Sequence, residues 1–136
     1  MNYYSIGQAA EKFGITESAL RYYEKKGLLP LMERDEAGRR IFSENQMALF
    51  ETVLCLKNTN MPISKIKQYI EWVVEGDSTI EQRLSMMEKH KKAVLAEISL
   101  MTVSIKRIDY KISRYLDAIQ KNDLLREAEN DVQILT

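Results

Sequence analysis

The sequence predicts a mainly α-helical chain: a helix-turn-helix and a small β-hairpin in the N-terminal part, then a long C-terminal helix. Three observations point there: repeated helix-start signals, two short helices meeting at Gly14-Ile15, and an unbroken heptad seam from Ile80 to Ile119. A helix start is signalled where a hydroxyl can accept from an orphan backbone N–H and a Glu or Gln three residues on can reach back. Ser5 with Gln8, Ser43 with Gln46 and Ser78 with Glu81 have that spacing.

After Ser5, the residues Ile6, Ala9, Ala10 and Phe13 fall at the i, i+3, i+4, i+7 spacing of a one-sided helix, and Gly14 supplies a left-handed stop. Thr16 is a good N-cap for a second helix over ESALRYYEKK, with Ala19, Leu20 and Tyr23 turned inward and Gly27 at its end. Beyond Pro30, LMERDEAGRRIF alternates around the turn-rich centre Asp35-Glu36-Ala37-Gly38, which reads as a β-hairpin. Ser43 opens a third helix to about Asn58. After Pro62, the apolar residues Ile63, Ile66, Ile70 and Val73 set a fourth helix that ends at Gly76.

From Ser78 the pattern changes character. Ile80, Leu84, Met87, Lys91, Val94, Ile98, Met101, Ile105, Ile108, Ile112, Tyr115 and Ile119 are spaced 4, 3, 4, 3, and only Lys91 breaks their apolar character. No Pro or Gly interrupts the stretch, so a single helix of roughly 44 residues, about 66 Å long, is expected. It cannot bury its stripe against itself, and a strict two-in-seven seam is narrower than a membrane-surface helix shows. The expectation is a homodimer through residues 80–119. The expected organisation is a head at 1–76, a dimerisation helix at 77–121 and a short tail at 122–136.

The 136 residues are 45% hydrophobic and 29% charged, enough for a core in one or two small domains. No run approaches the roughly 18 apolar residues of a membrane span. The opening MNYYSIGQAAEKF lacks the basic start and apolar centre of a signal peptide, so a cytoplasmic protein with no membrane partner is expected. One cysteine, Cys55, and one histidine, His90, exclude an internal disulfide and argue against zinc and iron–sulfur sites. Neither a metal nor another cofactor is expected. Residues 1–76 hold 10 of the 20 Lys/Arg and 10 of the 20 Asp/Glu, so neither half is basic. Any nucleic-acid binding must therefore come from the placement of a few cations rather than a global field.

A helix-turn-helix puts the N-terminal part of its second helix into the major groove. With Leu20 and Tyr23 inward, Ser18, Arg21, Tyr22 and Lys25 are left on the outward side. Arg21 could fork onto a guanine edge or a phosphate, and Tyr22 offers a hydroxyl to a phosphate. For each residue taken alone the default is a solvated helix face. Arg39 and Arg40, adjacent cations leaving the hairpin turn, tip the balance towards a grip on the DNA backbone.

The stretch YSIGQAAEKFGITESALRYYEKKGLLPLMERDEAGRRIF, residues 4–42, resembles the DNA-binding winged helix of the MerR family of bacterial transcription regulators. Leu20-Arg21-Tyr22-Tyr23-Glu24 followed by Gly27-Leu28-Leu29 is its most specific piece, and the resemblance runs on through the third and fourth helices and the long helix. It implies that Thr16, Ser18, Arg21 and Tyr22 belong to the recognition helix, that Tyr3 approaches the DNA backbone from an N-terminal strand, and that Arg39 and Arg40 belong to the wing. The wing departs from the family's common Gly-Tyr-Arg, with Gly38-Arg39-Arg40-Ile41 in its place. Also implied are an antiparallel coiled coil between long helices, double-stranded promoter DNA and RNA polymerase as partners, and a promoter with an overlong spacer that is bent and untwisted on activation. Deforming DNA costs several kcal/mol, so a small rearrangement of such a dimer can decide whether the promoter is usable.

Family members differ mainly in the segment beyond the long helix. Metal-sensing and redox members carry cysteines there, and this chain has none after residue 55; drug-binding members append a pocket domain, which a tail of about 15 residues cannot form. Cys55 is then the remaining candidate sensor thiol. At roughly 100° per residue, Met47, Leu49, Phe50, Val53, Leu54 and Leu56 lie opposite Cys55, while Ala48, Glu51, Thr52, Asn58 and Thr59 surround it. Cys55 should thus face solvent or a partner's long helix. The stretch CLKNTNMP also resembles that of the small single-cysteine branch of the family, which responds to aldehydes, nitric oxide and other thiol-reactive species in a stress response. A buried, inert cysteine is the ordinary alternative, and both readings stay open. A thiol enzyme would need a base beside Cys55, and His90 lies on another helix with no Cys-His motif linking them, so no enzyme is expected. A coiled-coil adaptor without DNA function would explain the seam but leave Arg21, Arg39 and Arg40 unmotivated.

Overall fold

A computed structural model describes residues 2–135 of the chain, and the side chains of 2–130. In order, the chain forms β1 (Tyr3–Ser5), α1 (Ile6–Phe13), α2 (Glu17–Lys25), β2 (Glu33–Arg34), β3 (Arg40–Ser43), α3 (Glu44–Asn58), α4 (Ile63–Glu75), a 3-10 turn (Asp77–Thr79) and α5 (Ile80–Leu135). The predicted hairpin is β2 and β3, and β1 adds antiparallel to the other edge of β3, giving the order β1-β3-β2. Tyr3 stands opposite Ser43, and Arg34 opposite Arg40.

The caps explain where the first helices begin. At Ser5 the box is complete: its hydroxyl accepts from the Gln8 N–H at 3.1 Å, and the Gln8 carboxamide accepts from the Ser5 N–H at 2.9 Å. Gly14, at φ 66°, closes α1 in the left-handed region, and Thr16 caps α2 by accepting from the Ala19 N–H. The second box is only half formed. The Ser43 hydroxyl accepts from the Gln46 N–H, but the Gln46 side chain is buried and turns away to donate to the carbonyls of Pro30 and Leu31. Those contacts hold Leu31 at φ 57°, a conformation that a non-glycine residue adopts only when its surroundings impose it. The third start is shifted. Residues 77–79 wind as a 3-10 turn and α5 begins at Ile80, because the buried Thr79 hydroxyl donates to the carbonyls of Trp72 and Gly76 and pins this turn to the end of α4.

The core lies among α1 to α4 and β3. Leu20, Leu28, Phe42, Phe50, Val53 and Ile66 are fully buried, and Phe50 takes the ring edges of Phe13 and Tyr23 at 5.1 and 5.4 Å between centroids. Lys57 donates to the Tyr23 hydroxyl, with its ammonium 4.5 Å from that ring's centroid. On α4, Ile66 and Ile70 are buried as expected, whereas Ile63, read as inward, is 43% exposed. One helical turn before Ile66, it lies on the rim of the α4 stripe.

α5 does not stop near residue 121 but continues to Leu135, 56 residues in all. NDLLREAENDVQIL contains no Gly or Pro and is rich in strong helix formers, so no stop signal acts there. The chain divides into two compact units, Met1–Lys91 and Lys92–Thr136. In the first, Met86 and Met87 pack on the core; in the second, Ile98, Met101, Ile105, Ile108, Ile112, Tyr115 and Ile119 all stay exposed. Among the described residues no helix is long and apolar enough to cross a membrane.

Candidate nucleic-acid interface

Burying Leu20 and Tyr23 fixes the rotation of α2, and this sets the opposite face outward. Thr16, Ser18, Arg21, Tyr22 and Lys25 are all exposed, so the residues expected to read DNA share one accessible helix. Arg21 is tied to Glu17 one turn earlier only at 3.8 Å, both side chains half exposed; such a pair contributes little and leaves the guanidinium available. The Tyr22 ring is 54% exposed and has the Lys26 ammonium 5.5 Å from its centroid, which adds a cation beside this phenol. Tyr3, on β1, is 42% exposed.

The wing is built around one carboxylate. Asp35 accepts from the backbone N–H groups of Ala37 and Arg39 at 3.0 and 2.9 Å and from the Arg39 guanidinium at 3.1 Å, while Arg34 donates to the Gly38 carbonyl at 2.9 Å. The Arg39 N–H, with that residue's charge and side-chain bond and the Ala37 N–H, outweighs partial burial and holds the Asp35 carboxyl below its ordinary 3.8. A carboxylate with a depressed pKa stabilises the fold above the ordinary value, and that contribution is lost as pH falls through the depressed one. The wing turn is therefore expected to stay intact from neutral pH down past 3.8 and to loosen only at lower pH. Amide shifts of Ala37 and Arg39 followed by NMR check this; a transition at or above that value contradicts it.

Arg39 and Arg40 differ in placement. The Arg39 side chain is 79% exposed and remains presented to solvent alongside Asp35. Arg40, expected beside it as a second wing cation, instead forks its Nε onto both oxygens of Glu24 at 3.1 Å, with both side chains largely covered. The pair joins the wing to the recognition helix across 16 residues, so Arg40 positions the wing in the free protein. Sequence spacing carries no signal for such a long-range contact, nor for Arg34 closing the turn.

Cys55 is exposed on α3, on the side the helical wheel indicates. Its carbonyl accepts from the Thr59 hydroxyl at 2.7 Å, and the same hydroxyl lies 2.7 Å from His90 Nε2 at the start of α5. The one histidine thus touches Thr59, one helical turn after Cys55 on α3, a contact that no sequence motif announced.

The chain is similar in sequence and fold to known proteins of one family. Residues 4–71 match the family model described as MerR HTH family regulatory protein. An uncharacterised HTH-type transcriptional regulator of Haemophilus influenzae is 40% identical over 115 residues, 85% of each chain. The crystal structure of a MerR family transcriptional regulator from Bacillus thuringiensis superposes with a TM-score of 0.80 at 48% identity, covering 83% of this chain and 99% of that one. The crystal structure of HiNmlR, a MerR family regulator lacking the sensor domain and bound to promoter DNA, superposes with a TM-score of 0.80 at 39% identity, over 86% and 93% of the two chains.

Proposed function

The chain belongs to the MerR family of DNA-binding transcriptional regulators, and on that premise we propose that it acts as a homodimer that distorts a promoter with an overlong spacer. The observation that carries the reading is the α5 seam. Seven apolar seam residues between Ile98 and Ile119 are each half exposed or more, a contiguous stripe that a monomeric protein rarely leaves in water. Paired antiparallel along residues 80–119, two chains bury this stripe and carry two heads to two half-sites. Residues 1–76 then form the DNA-binding head, and 77–121 the dimerisation helix. In each head α2 enters the major groove with Arg21 and Tyr22, while Thr16, Ser18, Lys25, Tyr3 and Arg39 hold the flanking backbone. Arg40 keeps the wing on α2 through Glu24 and joins the backbone contacts where DNA competes for it. The protein works in the cytoplasm, with RNA polymerase at the same promoter, and needs no cofactor.

The proposed signal is an aldehyde or another thiol-reactive species, taken up at Cys55. In the aldehyde case the thiolate adds to the carbonyl carbon, the carbonyl oxygen takes up a proton, and a hemithioacetal results. Exposure of Cys55 supports the assignment, since the thiol is reachable, and Thr59, one turn further along α3, touches His90 of α5. Modification there would alter the junction of α3 with the start of α5, between head and dimer helix. A promoter-driven reporter in cells given a sublethal aldehyde dose tests this. Native protein is expected to change output several-fold and Cys55→Ser not at all; an equal response by Cys55→Ser would remove the thiol from the mechanism.

A further inference from the structure

The first turns of α5 are tied to the head along one helix face. Arg83 donates from Nε to the Thr79 hydroxyl at 3.2 Å and from Nη2 to the Gly76 carbonyl at 3.0 Å, which joins α5 to the end of α4. One turn on, Met86 and Met87 pack on the core. A further turn on, His90 Nε2 lies 2.7 Å from the Thr59 hydroxyl at the end of α3. Positions 83, 86, 87 and 90 have the i, i+3, i+4, i+7 spacing of a single face, and its two end ties stand about 10 Å apart along the axis. Two points that far apart set the direction of a helix, whereas a tie at the first alone would leave a pivot. The first compact unit ends one residue later, at Lys91.

The far tie is a built contact on both sides. Thr59 has one hydroxyl proton, and the Cys55 carbonyl at 2.7 Å accepts it, so at His90 the hydroxyl oxygen is the acceptor and the ring Nε2–H the donor. The Cys55 carbonyl also accepts from the Thr59 N–H at 3.1 Å, and the buried Met61 donates its N–H to the Leu56 carbonyl at 2.9 Å, with Asn60 between them at φ 68°. The end of α3 is thereby closed on itself and anchored in the core, not left to fray. On α5, His90 falls roughly a quarter turn from the seam positions Ile80, Leu84 and Lys91, so it meets the head without occupying the seam.

We propose that His90 and Thr59 are positioning residues for operator recognition. Their hydrogen bond fixes the line along which α5 leaves the head, and so the separation of half-sites that the paired heads accept. The inference rests on the dimer and the DNA reading proposed above. Neither residue needs to touch a base for this; each acts through the placement of α2.

The test uses the duplex that the native chain enriches from a random pool, remade with one or two base pairs added or removed between its half-sites, and a duplex carrying one half-site. Each base pair moves a half-site by about 3.4 Å and by about a tenth of a turn, so affinities across the set report how firmly the two heads are held. The native chain is expected to favour one spacing sharply. Thr59→Val and His90→Ala, still dimeric in sedimentation, are expected to bind that spacing several-fold more weakly and its neighbours nearly as well, with affinity for the single half-site unchanged. Thr59→Ser and His90→Gln, which keep a hydroxyl and an N–H in place, are expected to restore the sharp profile. An unaltered profile in Thr59→Val and His90→Ala overturns the proposal. So does a loss by one factor at every spacing and on the single half-site, which a merely destabilised head would give, or dissociation of both variants into monomers, which would assign the contact to the seam. A native chain that is itself monomeric, or that enriches no paired half-sites, overturns the proposed dimer and this inference with it.

Discussion

Replacing Ile105 with Asp is expected to turn the proposed dimer into monomers and to remove specific DNA binding with it. Ile105 lies mid-seam and is 56% exposed in the single chain, so in the proposed dimer the partner covers its side chain. Losing that burial costs about 2 kcal/mol, and the two-fold axis counts it twice. About 4 kcal/mol corresponds to roughly a thousandfold weaker dimer, before the cost of an unpaired carboxylate in an apolar seam is added. Sedimentation equilibrium reads the mass and a gel shift reads the operator. Val103→Asp is the control, since Val103 is 64% exposed but lies on the other side of α5. Val103→Asp is expected to leave both readings unchanged; dissociation by both substitutions, or by neither, contradicts a seam at this face.

Arg21→Ala is expected to weaken operator binding by about 1–3 kcal/mol, on the order of ten- to a hundredfold, if the guanidinium reads a base edge. If it grips a phosphate instead, affinity falls by a similar factor on all sequences and the salt slope drops by about one. The Glu17 contact that Arg21 gives up is an exposed pair with little stabilising effect, so thermal stability should hardly change. Affinity and salt slope together, measured on operator and scrambled duplexes, separate the two modes. An unaltered affinity on both would take α2 out of the groove.

How far the sequence can be read differs between local and distant features. Ser5-Gln8, Thr16 and Gly14 act within one turn of chain, and each sits in the structure where its chemistry predicts. Gln46 fits the local rule equally well, yet its carboxamide serves Pro30 and Leu31, because closing that loop satisfies two carbonyls at once. The same distance limit hides the Arg40–Glu24 fork and the Thr59–His90 contact, whose partners are 16 and 31 residues apart. Cys55 shows what periodicity can do: its exposure follows from the apolar residues grouped opposite it on α3, without knowledge of the neighbours. The extent of α5 escapes the heptad pattern for another reason. A seam ends where its apolar positions turn polar, whereas a helix stops only where caps, Gly or Pro stop it, and none occurs before Leu135.

In the proposed dimer two heads, held by the α5 seam, read one DNA site. Selection of duplexes from a random-sequence pool by the native chain tests it most directly. Enrichment of a pseudo-palindrome with two half-sites, bound by two chains per duplex and released as salt rises, is the expected result. A pool that stays random, or a single unpaired site bound by one chain, would contradict it.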